Sequence, residues 1–211
     1  MESKKVSNNM LARMPIYLNY IKGLPKSTQN ISATKIASAL GLGEVSVRKD
    51  LAKVSDGGRC KLGYPCDALI RDIENFLGIK STVNGIVIGN GEMLQVMFQY
   101  RGFKDAGLNI VAGFDITSGK KRMVSDKSIY PMNRLESFCK EHEITIGIIM
   151  VPAESAQQTC DQLVALGIEG IWNFTPVHLN VPEGVILQNE SFTASITKMK
   201  MQLKEKVTAC L

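Results

Sequence analysis

Two glycines, Gly89 and Gly91, follow the apolar run Ile86-Val87-Ile88 and open the segment Gly89-Asn90-Gly91-Glu92-Met93-Leu94. Glycines in a strand-to-helix turn let the backbone approach a phosphate closely. The free N–H groups and positive dipole end of the following helix then balance the anion's charge. Asp115 closes the next apolar run, roughly twenty residues on, where a carboxylate can accept from a ribose hydroxyl. Gly89, Asn90, Gly91, Glu92, Met93 and Asp115 thus form a candidate dinucleotide cradle. Its sixth position, normally Gly or Ala, is Leu94. The third glycine of this pattern lets helix and strand pack closely. An isobutyl group is therefore expected to push the helix away or to fill the diphosphate's space. A working cradle and a scaffold with an altered pocket both remain open on these residues.

A second set of residues points to nucleic acid. In the helical segment 44–54, Ser46, Lys49 and Lys53 share one face that could enter a major groove, and Arg48 can reach a flanking phosphate. Arg59 and Lys61, in the turn that follows, could contact phosphates or the adjacent minor groove. A basic surface helix without a partner is the plain alternative. Residues 1–80 hold 13 Lys and Arg against 7 Asp and Glu, a net +6, whereas residues 81–211 hold 12 against 13, a net −1. All the excess positive charge therefore sits in the first third, which favours a polyanion-binding head on a different kind of body.

Catalytic chemistry is poorly represented, and the chain reads as a non-enzyme. His142 and His178 accompany no nucleophile motif, and no GxSxG, HExxH or CxxC occurs. Cys60, Cys66, Cys139, Cys160 and Cys210 have no metal-ligand spacing and read as reduced thiols, so no metal is expected. Cys60 and Cys66 flank the basic turn, where inert thiols and a thiol switch are both conceivable. The start MESKKVSNN lacks a signal-peptide core, and no apolar run is long enough to span a membrane. A cytoplasmic protein without a membrane partner is expected.

The elements that must position these residues follow from periodicity. Pro15 suits the first turn of a helix carrying Tyr17, Leu18, Ile21 and Leu24. Ser32 is a candidate N-cap for a second helix, and Gly41-Leu42-Gly43 leads into a third, Glu44–Val54. Helix, glycine turn and helix make a helix-turn-helix. Cys60-Lys61-Leu62 is expected to return as a short strand of a wing, before a helix over Pro65–Leu77 closed by Gly78. From residue 81 the pattern turns to short apolar strands alternating with helices: Gly85–Ile88, Asn109–Phe114, Thr145–Val151, Gly170–Asn173 and a fifth near Val185–Leu187. Near-continuous apolar strands are covered on both faces and imply a parallel sheet. In 191–211, Phe192, Ile196, Met199, Leu203 and Val207 recur every three or four residues, so this helix needs a partner surface. The expected fold class is α/β: a winged-helix domain at 1–80, a Rossmann-like parallel-sheet domain at 81–190 and a C-terminal helix at 191–211.

In this order the residues resemble the Rex family of redox-sensing transcriptional repressors over essentially the whole chain. The matching segments are RMPIYLNYIKGL, ISATKIASALGL, VRKDLAKV, LGY, the GNG turn, QYRGF, FDI, VPAESAQ, GIWNFTPVHLNVPEGV and QNESF. The resemblance implies a homodimer with a domain-swapped C-terminal helix that binds double-stranded operator DNA when NADH is scarce and is released by NADH. It implies DNA contacts from Ser46, Arg48, Lys49, Lys53 and the wing, pyrophosphate contacts at Gly89–Met93 and ribose contact at Asp115. Nicotinamide-side contacts fall near Val151, Pro152, Asn173 and Phe174, with Phe192 lining that pocket. Tyr100 falls on the family's switch tyrosine.

The departures gather on the switch. Asn19 replaces a first-helix arginine and Ser191 an aspartate; Leu94 replaces the third glycine; Asp115-Ile116-Thr117 has one acid where two are common; Cys60-Lys61 replaces Arg-Gly. These imply NAD(H) as cofactor with a weakened or retuned response. The alternatives are a sister paralog that has lost NAD(H) binding and pairs with a Rex subunit or another partner, and, with less support, an NAD(P)-dependent oxidoreductase.

Overall fold

The structure, a computed structural model, describes residues 6–117, 119–124 and 126–208. It divides into two compact units, residues 1–81 and 82–211.

The first unit holds α1 (Asn8–Lys22), α2 (Ala33–Leu40), α3 (Glu44–Val54) and α4 (Cys66–Leu77), with an antiparallel ribbon of β1 (Asn30–Ile31) and β2 (Tyr64–Pro65). Ser7 caps α1 by accepting from the Met10 N–H. The helix therefore begins well before Pro15, which lies inside it rather than in its first turn. Met10 and Met14 extend the buried stripe of Tyr17, Leu18 and Ile21 backwards. Pro15 and Leu11, whose carbonyl loses its helical donor, are both exposed, so the interruption faces water. Ser32 caps α2, its Oγ accepting from Lys35 N–H at 3.1 Å. Val47 and Leu51 bury the inner face of α3.

The wing differs from expectation. Cys60-Lys61-Leu62 form no strand; all three are exposed around a tight turn in which Arg59 and Gly63 exchange two backbone hydrogen bonds of 2.9 Å. The strand comes later, at β2, because Tyr64 is the first residue after the turn whose side chain reaches the core. Gly63 has φ +80°, and a β-carbon there would overlap the Ile31 carbonyl, so only glycine lets the ribbon close this tightly.

The second unit is a seven-stranded sheet ordered β5-β6-β4-β3-β7-β8-β9. Its strands are β3 (Val83–Gly89), β4 (Leu108–Asp115), β5 (Arg122–Val124), β6 (Lys127–Pro131), β7 (Ile146–Met150), β8 (Gly170–Asn173) and β9 (Ile186–Asn189). All neighbouring pairs are parallel except β5 with β6. The helices are α5 (Gly91–Gln99), α6 (Gly102–Asp105), α7 (Leu135–Glu141), α8 (Ala153–Ala165) and α9 (Phe192–Thr208), with a 3-10 turn at Met132–Arg134. Ile86 and Ile88 enter one core layer and Val87 the other, as the two-residue period of a strand covered on both faces requires. The α/β architecture is the one expected. β5 and β6 were not: their burial is carried almost entirely by Ile129, too little for an apolar run.

Strand order reverses between β3 and β7, so the crevice at their carboxyl ends is the topological switch point where parallel α/β sheets bind ligands. Gly89, Asp115, Met150 and Asn173 close the strands on that edge. Along α9 the apolar residues Phe192, Ile196, Met199 and Leu203 are exposed; the Val207 side chain lies outside the described residues.

Candidate functional site

β3 ends at Gly89, where a β-carbon would come 2.9 Å from the Met150 carbonyl of the neighbouring strand. Asn90, extended at φ −90°, is the N-cap of α5, which starts at Gly91. The N–H groups of Gly91, Glu92 and Met93 thus lack helical acceptors and are available to an anion.

Leu94 corrects the steric expectation. Its side chain is fully buried among Val87, Met97, Ile110 and Ile148, on the sheet side of α5. Both its methyl groups lie 3.3 Å from where a β-carbon on Gly113 of β4 would stand. The bare position missing from the helix is present on the strand instead, so Leu94 packs down into the core and does not itself enter the diphosphate's space.

Asp115 is brought to the same edge, with 2% of its side chain exposed. Its Oδ1 accepts from the N–H and the hydroxyl of Thr117, each at 2.8 Å, and its Oδ2 lies 2.6 Å from Arg122 Nη2. A β-carbon on Gly91 would overlap the same guanidinium, so Arg122 spans from the acid to the glycine turn. Arg122 was missed; the available signal was the run Lys120-Lys121-Arg122 shortly after the acid.

On the other side of the crevice, Tyr100, Phe103, Trp172, Phe174, Glu190 and Phe192 line a cavity of about 470 Å³. The rings follow one another at 4.8 Å (Tyr100 to Phe103), 5.7 Å (to Trp172), 4.9 Å (to Phe174) and 6.2 Å (to Phe192). Trp172 Nε1 donates to Glu190 Oε1 at 3.3 Å. Ser191 lines the cavity too, and its Oγ accepts from Ala194 N–H at 3.1 Å. A carboxylate therefore still lines this cavity, one residue before Ser191. Phe103, Trp172 and Glu190 were not singled out, because an aromatic within an apolar segment looks like core.

Not every candidate points into the crevice. Val151 is buried in the core and Pro152 is the exposed N-cap of α8. Asn173 is fully buried and spends its amide on the local turn: Nδ2 donates to Val177 O and Asn189 Oδ1, and Oδ1 accepts from Thr175 N–H and hydroxyl. It positions Phe174. Asn19 is exposed on α1, in the first unit.

In the first unit, Ser46, Arg48, Lys49 and Lys53 are exposed on α3, and Arg59 and Lys61 are exposed in the wing turn. Arg48 pairs with Glu44 one turn earlier. From the opposite face of α3, buried Asp50 accepts from Arg13 Nε at 2.8 Å, Arg13 Nη2 at 2.7 Å and the Tyr17 hydroxyl at 3.0 Å. This network ties α3 to α1 and fixes which residues face outward. The Asp50 hydrogen bond pushes the Arg13 guanidinium pKa further up. Burial and then Asp50 push the Tyr17 hydroxyl above its ordinary value.

Cys60 is an exposed free thiol, whereas Cys66 is buried at the start of α4, where burial raises its pKa. Among the described residues no cluster of His, Cys, Asp and Glu could hold a metal ion, and no helix is long and apolar enough to cross a membrane.

Comparison with known proteins adds the following. Residues 80–177 match the family described as "CoA binding domain", and residues 5–52 match "Putative DNA-binding protein N-terminus". The redox-sensing transcriptional repressor Rex of Porphyromonas gingivalis is 35% identical over 95% of this chain and 93% of its own length. The repressor of the same name from Desulforamulus reducens is 35% identical over 98% of this chain and 100% of its own. Among solved structures, RSP, a Rex-family repressor, in complex with β-NAD+ and operator DNA, has TM-score 0.87 and 31% identity, covering 98% of this chain and 96% of that one. RSP in complex with β-NADH has TM-score 0.86 and 31% identity, covering 98% of each chain.

Proposed function

The chain belongs to the Rex family of redox-sensing transcriptional repressors, and we propose that it binds operator DNA through α3 and the wing and reads a nicotinamide dinucleotide at the β3–β7 crevice. One observation carries this reading. The chain joins a helix whose basic face is held outward by the Asp50–Arg13–Tyr17 network to a glycine turn with a carboxylate at the next strand end. The residues fit the dinucleotide: the N–H groups of Gly91, Glu92 and Met93 for its diphosphate, Asp115 for its ribose, and the aromatic cavity at Phe174 and Phe192 for its nicotinamide end. The bound group would supply the redox signal, differing in ring charge between its oxidised and reduced forms. This chain's residues bind and orient it.

On this reading Lys49, Lys53 and Ser46 meet base edges, while Arg48, Arg59 and Lys61 meet backbone phosphates. On this reading the protein acts by binding rather than by turnover, in the cytoplasm, as its repressor relatives suggest. A second copy covers the exposed apolar face of α9, giving a homodimer with residues 1–80 as reading head, 81–190 as sensor and 191–211 as dimerisation helix. A two-fold dimer would place its reading helices in major grooves about one or more helical turns of DNA apart. With Leu94 clear of the cradle, the steric reason for a paralog that has lost NAD(H) binding falls away. The reading is tested by anisotropy of a labelled operator duplex bound by the protein and titrated with NADH and with NAD+: release by NADH at lower concentration than by NAD+ is expected.

A further inference from the structure

Among the described residues that line the aromatic cavity, one carries a charge, and it is an acid, Glu190. The backbone fixes it there: Glu190 N–H donates to the Asn173 carbonyl at 2.8 Å, extending the pairing of β9 with β8. Its Oε1 accepts from Trp172 Nε1 at 3.3 Å and from Gln188 Nε2 at 3.4 Å. Both donors are neutral and share one oxygen. Among the described residues no lysine, arginine or histidine forms a salt bridge with Glu190. Beside the carboxylate stand the rings of Tyr100, Phe103, Trp172, Phe174 and Phe192. Aromatic faces carry negative potential and attract cations. An acid among such rings favours a flat organic cation over a neutral ring of the same shape. The two redox forms of nicotinamide differ in this respect, since the oxidised ring is positively charged and the reduced ring is neutral. Apolar contact with the cavity wall is nearly common to both, so charge is what tells them apart.

We propose that Glu190 is a specificity-determining residue for the redox form: its carboxylate holds the oxidised nicotinamide ring more tightly than this cavity would without it, and leaves the reduced ring unaffected. This rests on reading the second unit as a dinucleotide sensor with its nicotinamide end in this cavity. The two forms compete for one site, so tighter NAD+ raises the share of NADH needed to fill it. Glu190 thereby sets the NADH to NAD+ ratio at which the sensor responds.

Calorimetric titration of the full chain with NADH, NAD+ and ADP-ribose, which lacks the ring, tests both levels separately. Glu190→Gln keeps an acceptor for Trp172 and removes the charge. It should raise the Kd for NAD+ by about tenfold, the size of one partly solvated charge contact, and leave NADH and ADP-ribose within about twofold. Glu190→Asp, which keeps the charge, should hold NAD+ closer to the parent value than Glu190→Gln does. Equal weakening of NAD+ and NADH, no change for NAD+, or the reverse order of the two variants overturns the proposal and leaves the sensor reading intact. Parent binding of ADP-ribose as tight as that of both dinucleotides does the same, because the ring would then lie outside the cavity. Binding of none of the three overturns both.

Discussion

Leu94 on α5 and Gly113 on β4 are complementary: the leucine methyl groups stand 3.3 Å from where a β-carbon on the glycine would be. The close packing that a third helix glycine would provide is supplied from the strand side, so a large residue in the fingerprint serves the core rather than blocking the cradle.

Leu94→Ala should therefore destabilise the protein by about 2–5 kcal/mol, the range for deleting a fully buried leucine, without tightening NADH binding. Chemical denaturation and NADH titration on the same variant check both halves. A variant of unchanged stability that binds NADH better would restore the steric conflict.

The Asp50 network should set the alkaline limit of stability. Tyr17 has a raised pKa in the folded state, so its contribution is fully present below the unfolded value near 10 and is lost as pH rises from there through the folded value. Thermal melts should fall more steeply with alkaline pH in the parent than in Tyr17→Phe. Arg13→Ala, which leaves buried Asp50 without its cation, should cost about 2–3 kcal/mol at neutral pH.

Lys49→Ala and Lys53→Ala should each weaken operator binding by about 1–3 kcal/mol while relaxing sequence preference, as loss of a base contact does. Lys61→Ala should weaken all DNA sequences alike and lower the salt slope by about one. Anisotropy at several salt concentrations separates the two behaviours; parental binding by both α3 variants would remove that helix as the reader.

Thiol labelling should discriminate among the cysteines. Cys60 is exposed, whereas burial raises the pKa of Cys66, Cys139 and Cys160 and keeps their thiolate populations low. Mass spectrometry after brief alkylation of the native protein should find modification at Cys60 well before those three. Comparable labelling of Cys66 would show that α4 opens at its start.

Much of this was legible in the sequence, and the exceptions have physical causes. α3 appears over the residues its periodicity marks because Val47 and Leu51 bury one face and leave the cations outside. The first helix was begun too late, since Pro15 looks like a start until the buried Met10 and Met14 are seen upstream of it. β6 was invisible because a strand beside an edge needs only Ile129 to hold it. Within the site, the glycine turn and Asp115 stood out by spacing. Arg122 did not, because its role comes from a loop that folds back over Gly91, which no local pattern records.

The most direct test is the occupancy of a labelled operator duplex by the purified protein as reduced and oxidised dinucleotides are added at fixed salt. The account predicts sequence-specific binding that persists with the oxidised form and is released by the reduced one. Indifference to both forms, or equal affinity for operator and unrelated DNA, would contradict it.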